Sequence, residues 1–380
     1  MSLDTLAGLV GHSKSWLSKI ENGQTRLERR TDIRALAEAL EVAPSDILGE
    51  PSQLIRPSER AYGDVIRLRE VLLESTLDDP LDVQARPLPD LTRALDALAD
   101  ARRASDDPFL AIALPPLLAE LHVHVAAGDE HERQAALRML IEVCTSATNV
   151  LRHVGQPDLA WVAADRAERA AVALDDPIMR GAATVAQATS RPSATLSRPL
   201  RQAEKVADRL EGQIGDDRTG HEVYGMLNLY AALAAQLQGN SDGADERLTE
   251  AERVAEWLGE QPADSCGEGW RSFGPANVGV WRTMLAVEAG RPERALAAAE
   301  RVDTTRLPRK SRQAALAIEH GRALAMVGRR DAAVRELVRA EKLSVASVHK
   351  SPLVRELVAD LYDRSTPRDL RGLAWRMNII

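Results

Sequence analysis

Lys14, Ser15 and Lys19 place two ammonium groups and a hydroxyl within six consecutive positions, and Ser13, Asn22, Thr25 and Arg26 set further polar donors around them. These residue types offer no nucleophile with its base. Their chemistry is hydrogen bonding, to base edges where a helix end enters a groove and to the phosphate oxygens beside it. Charge points the same way: residues 13–34 carry Lys14, Lys19, Arg26, Arg29, Arg30 and Arg34 against Glu21, Glu28 and Asp32, an excess of +3 in a 380-residue chain whose formal charge is −8. Basic surface for a nucleic acid is therefore expected in this opening segment and not across the whole molecule.

The elements that must hold these groups are short helices. SLDTLAGLVG puts Leu3, Leu6 and Val10 on one face, and Gly11 closes it. Ser13 is placed to cap a second helix, KSWLSKIEN, in which Leu17 and Ile20 recur at the spacing of a buried stripe. The small Ala7 lets the two helices approach steeply while Gly11 relieves the turn, the spacing of a helix-turn-helix whose second helix enters a major groove. In DIRALAEALEVAPSDILG, Ile33, Leu36 and Leu40 form the face of a further helix, and Pro44 opens a last short one.

Through Leu6, Ala7, Val10, Gly11, Ser13, Trp16, Leu17, Ile20 and the Glu21-Asn22-Gly23 ending, residues 1–50 resemble the XRE family, the Cro and phage-repressor type of DNA-binding domain. Groove geometry assigns direct base readout to Lys14, Ser15 and Lys19, and phosphate contacts to Ser13, Asn22, Thr25 and Arg26. Trp16 has two readings, contact with a thymine methyl or sugar, and cover for Leu17. Two departures stand out. His12 takes the place of an aliphatic residue that plugs the turn, which predicts looser local packing. The family's first helix has no counterpart, which predicts a poorly stable head and a native start roughly 15 to 30 residues upstream of Met1.

Beyond the head, residues 51–89 read as a linker with one helix, marked by Pro51 and Pro57, and residues 90–380 form the main body. Helical periodicity dominates, so the fold is expected to be all-α. Five segments recur: AERAAVAL (167–174), AEKVADRL (203–210), AERVAEWL (251–258), AERVDTTR (299–306) and AEKLSVAS (340–347), at intervals of 36, 48, 48 and 41 residues. Such periods mean stacked helix pairs. Turns at Gly155, Gly239, Gly290 and Gly328 precede helices of this set. This resembles degenerate tetratricopeptide repeats, and over its whole length the chain resembles helix-turn-helix regulators with a tetratricopeptide-like C-terminal domain, through LAWVAADRA (159–167), WRSFGPANV (270–278) and SPLVRELVADL (351–361). The layout is similar to that of peptide-sensing regulators, in which the repeats hold a ligand and dimerise.

For a ligand, Asn149, Asn228 and Asn277 fall on first helices of repeats, where an amide can donate to and accept from a peptide backbone at once. Tyr224, Trp270, Arg271 and Trp281 would add area and charge on the same wall; packing is the competing role for all of them. His122 and His124 lie two apart and so on different sides of a helix, and His131-Glu132 lacks the second His of a zincin. No metal site, cofactor or catalytic arrangement is expected. Cys144 and Cys266 read as two reduced thiols, and neither a secretory signal nor a run of 18 apolar residues is present. The expectation is a cytoplasmic, homodimeric regulator that binds double-stranded DNA at a palindromic operator, sensing a peptide or small molecule and not inserting in a membrane. A second reading stays open, a tetratricopeptide-type interaction scaffold with a truncated, non-functional DNA-binding head.

Overall fold

Helices make up the regular structure of the residues that the computed structural model describes, 2–25, 27, 29–40, 42, 47, 59–190, 198–259, 269–364 and 368–380, and no strand occurs among them. The fold is all-α. In the head, α1 (Leu3–Leu9) and α2 (Lys14–Glu21) are followed by α3 (Arg30–Leu40), and Leu6, Ala7, Val10, Leu17 and Leu36 share one small core. Gly11 has φ +69°, a conformation that costs a residue with a Cβ but not glycine. It brings the His12 N–H back to the Ala7 carbonyl at 3.0 Å, closing α1. Arg26, Pro44 and the linker prolines Pro51 and Pro57 lie outside the described residues.

The helix read as part of the linker, α4 (Glu59–Glu74), belongs to the core of the body. Its Val65, Leu68 and Leu72 recur every three or four positions and pack with Leu91, Leu114 and Leu118, an apolar stripe too wide to leave in water. Two short helices follow, α5 (Leu88–Ala97) and α6 (Ala99–Ala104), and then α7 (Asp107–Ala127). α7 is long and apolar enough to span a bilayer by length and composition, with mean hydropathy 1.6, but 61% of that stretch is buried inside the protein. Here it is a core helix, covered by α4 and by α8 (Glu130–His153).

α8 opens a series of helical hairpins. It pairs with α9 (Pro157–Leu174); the next pairs are α10 (Pro177–Ser190) with α11 (Arg198–Leu210), α12 (Arg218–Leu237) with α13 (Ser241–Leu258), α14 (Pro275–Glu288) with α15 (Pro292–Glu300), and α16 (Lys310–Met326) with α17 (Arg330–Leu343). The five recurring segments start in the second helix of each pair. Their leading alanines, Ala167, Ala203, Ala251, Ala299 and Ala340, are all buried, because hairpin partners approach closely where the contact residue is no larger than a methyl. The tight turns share one hydrogen bond across five residues: Gln156 N–H to Leu151 C=O (2.8 Å), Asn240 to Ala235 (2.9 Å), Arg291 to Ala286 (2.9 Å) and Arg329 to Leu324 (2.8 Å). Each follows a glycine at positive φ, the Schellman ending that only a left-handed residue closes without strain.

Each first helix also packs on the next first helix, so α8, α10, α12, α14 and α16 form a continuous row. α18 (Val345–His349), α19 (Pro352–Arg364) and α20 (Arg368–Arg376) complete the chain, with Leu370, Leu373 and Ala374 closing a core over Leu337 and Ala340.

Candidate nucleic-acid interface

The second helix of the head stands with one edge in solvent. Ser13 caps it, its Oγ accepting the Trp16 N–H at 3.2 Å, and Leu17 turns inward while Lys14, Ser15 and Lys19 are exposed. Lys14 Nζ donates to Asp4 Oδ2 at 2.7 Å, and both partners are more than half exposed. Such a pair is worth little in water, so a phosphate or a base acceptor can displace the aspartate. Asn22 caps the far end, donating from Nδ2 to the Ser18 carbonyl at 2.7 Å, and Thr25 is half-buried with its N–H on the Lys19 carbonyl.

His12 does not loosen the turn. Its ring stacks on Trp16 at 3.7 Å between centroids and 11° between planes, and its Nε2 lies 3.0 Å from Asp32 Oδ1. Arg29 grips the same carboxylate with two nitrogens, at 2.8 and 2.7 Å. A flat polar ring thus replaces an aliphatic plug, bridging α2 to α3. Trp16 is correspondingly half-buried against the head core.

The basic excess of the segment divides between two tasks. Arg30 donates from its backbone N–H to Glu288 Oε2 and from Nη1 to Glu288 Oε1, both at 2.6 Å. Arg322 Nη1 reaches Glu288 Oε1 at 2.9 Å and Glu319 Oε2 at 2.6 Å, and Arg30 Nη2 lies 3.7 Å from Glu319 Oε1. Glu288 is fully buried. Burial alone would raise its pKa; Arg322 and Arg30 override that and hold its carboxyl below the usual glutamate range. Arg34 donates to the Leu237 carbonyl, and Arg29 lies over Gly290, where a Cβ would meet Nη1 at 2.6 Å. Glu288 and Leu237 end α14 and α12, so arginines of α3 sit on the negative poles of two helices of the body.

The residues expected to line a ligand groove separate into different surroundings. Asn149 donates to the Thr145 carbonyl of its own helix at 3.2 Å. Asn228 does the same to Tyr224 at 3.0 Å, while its Oδ1 accepts from Arg247 at 3.3 Å; Arg247 is itself held by Glu204 and Asp208. Tyr224 is buried, and burial with Glu250 nearby pushes its hydroxyl up to about 12. Trp270 is buried in a short 3-10 turn (Gly269–Ser272), Arg271 reaches Glu142 of α8, and Phe273 is seated on Gly225, where a Cβ would clash with the ring. WRSF is therefore a plug packed on α12. Asn277 and Trp281 stand elsewhere, facing Arg312 and Tyr230.

Other constellations serve the core. His122 Nδ1 lies 2.6 Å from the Leu118 carbonyl and His124 Nε2 lies 2.7 Å from the Arg86 carbonyl. Cys144 is a free, buried thiol that burial pushes up to about 12, too high to be reactive near neutral pH; Cys266 lies outside the described residues. Sequence reasoning passed over Arg30, Glu288 and Arg312. Partners 258 positions apart leave no local pattern to read.

Residues 1–47 match the family model described as a helix-turn-helix domain. The opening segment is thus a helix-turn-helix DNA-binding domain, built as the geometry of α1 and α2 requires. No curated protein and no solved structure matches the chain.

Proposed function

We propose that the protein is a cytoplasmic, sequence-specific transcriptional regulator of XRE type that acts by binding rather than catalysis. It works as a homodimer and senses a peptide or small molecule through its tetratricopeptide-like hairpins. One observation carries this reading: the leading edge of α2, with Lys14, Ser15 and Lys19, is exposed on a segment that matches a helix-turn-helix model. Lys14, Ser15 and Lys19 read bases, Ser13, Asn22, Thr25 and Arg26 contact phosphates, and Trp16 with His12 fixes the angle of the helix. A two-fold dimer sets two such helices about 34 Å apart, which calls for an inverted-repeat operator. An effector acts by favouring one arrangement of body and heads over another.

Footprinting on DNA upstream of the protein's own gene tests the reading. Protection of a palindrome that weakens steeply with salt is expected. The Asp4 partner of Lys14 and the docking of Arg30 and Arg34 on the body favour a second reading, an interaction scaffold whose head does not engage DNA. An unprotected sequence at low salt would leave only that one.

A further inference from the structure

Arg312 occupies the first turn of α16, a place where a cation is disfavoured. The N-terminus of a helix is its positive pole; that first turn holds no acid, and Arg309 and Lys310 stand beside Arg312. The hydrogen bond of its side chain runs from Nε to Asn277 Oδ1 at 2.8 Å, a neutral acceptor. Among the described residues no carboxylate forms an ion pair with Arg312; Glu319, whose field reaches it, is held by Arg322 at 2.6 Å. Burial, with Arg309 and Arg152 adding like charge, lowers its pKa to about 10. A guanidinium enclosed in this way is the costly half of an ion pair with the anionic half missing. The side chain nonetheless keeps part of its surface open to solvent, so an incoming anion can reach it.

A second, independent observation lies one helical turn away. Trp281 follows Asn277 by four positions and therefore shares its face of α14. It is only 7% exposed, and among the described residues its Nε1 has no hydrogen-bond partner, which is unusual for a buried indole. The ring of Tyr230 meets Trp281 edge-on at 5.0 Å and is fixed by its hydroxyl on Thr189 Oγ1 at 2.7 Å. Donor nitrogens without an anionic acceptor and two aromatic walls thus lie together among α10, α12, α14 and α16.

We propose that Arg312, Asn277 and Trp281 bind the carboxylate or phosphate of a small aromatic anion, whose ring lies against Tyr230. Resting on the effector role proposed above, this names the chemical class of the effector. The anion supplies the charge that Arg312 lacks and the acceptor that Trp281 lacks. A neutral isostere supplies neither charge.

Calorimetry and tryptophan fluorescence on the full chain test this, with benzoate and phenyl phosphate as probes and benzamide as the neutral control. Saturable millimolar binding of at least one anion is expected, with at least tenfold weaker binding of benzamide; which anion binds tells carboxylate from phosphate. Arg312→Gln should weaken binding at least tenfold and Arg312→Lys should restore part of it. Trp281→Phe, which removes the indole donor, should weaken binding by calorimetry as well as remove the fluorescence response, with circular dichroism checking that each variant is folded. Equal binding of benzamide, undiminished binding by folded Arg312→Gln, or no binding of either anion overturns the proposal. Footprinting the same preparations keeps the two readings apart: anion binding without DNA protection sinks the regulator and leaves the site.

Discussion

Two arginine clusters on α16 are built in opposite ways. Toward its C-terminal end, Arg322 joins Arg30 of the head on Glu288 and Glu319, so each buried cation has a carboxylate within reach. At its N-terminal end, Arg312 meets the amide of Asn277 in place of an acid. A completed buried network is a clamp, because removing either sign leaves the other stranded. An incomplete one leaves an arginine without a carboxylate, which is the basis of the anion site proposed above. The difference teaches that arginine charge is used in two ways: at Glu288 it seats α3 on the body, and at Asn277 it meets a neutral amide, the feature on which the proposed anion site rests.

The largest expected effect breaks the clamp. Glu288→Ala takes from Arg30 and Arg322 the buried carboxylate they share and leaves Glu319 to hold both, and the docked arrangement should weaken by about 3–5 kcal/mol, read as faster amide exchange in α3 and a lower denaturant midpoint. A change below about 1 kcal/mol would show that the network is dispensable. Acid should act in the same direction. The Glu288 pKa is depressed in the folded protein, so its contribution is present above the unfolded value of about 4.3 and is lost as pH falls through the folded value. Protection of α3 should therefore drop on acidification below about pH 4, and this step should be missing in Glu288→Gln.

Arg312→Met should do the reverse of Glu288→Ala. Taking away a part-buried charge that no carboxylate pairs, while keeping most of its volume, should leave stability unchanged or raise it; a marked loss in the midpoint would mean that Arg312 is structurally paired after all. Lys14→Ala belongs to neither cluster. It should reduce specific DNA affinity by about 1–3 kcal/mol with α3 exchange unaltered, and a retained sequence preference would strike Lys14 from the readers. Smallest is Ser13→Ala, which removes the cap of α2 and should lower the thermal stability of the head by about 1 kcal/mol; an unaltered melting curve would show the cap to be redundant.

Features that could be read along the chain are those whose partners lie within a turn or two. Ser13 caps three residues ahead, Gly11 closes α1 behind it, and the glycines at 155, 239, 290 and 328 end helices through a bond across five residues. The recurring alanines mark second helices because a methyl is the largest group that fits there. Asn149 and Asn228 each donate to the carbonyl four residues back. An asparagine on a first helix can face a ligand or its own backbone four residues back, and the type alone does not tell which. α4 looked like a linker because prolines precede it, whereas its apolar stripe is buried against α7.

By itself, the chain's order of residue types determined an all-helical molecule, a helix-turn-helix at its front and a train of hairpins behind, since helix periodicity, caps and glycine turns are local physics. Only the tertiary structure decided that Arg30 meets Glu288, that His12 stacks on Trp16, and that Arg312 meets an amide in place of an acid. Buried charges find partners by proximity in space, and a separation such as that between Arg30 and Glu288 is bridged by the packing of whole helices, which no short window of residues encodes.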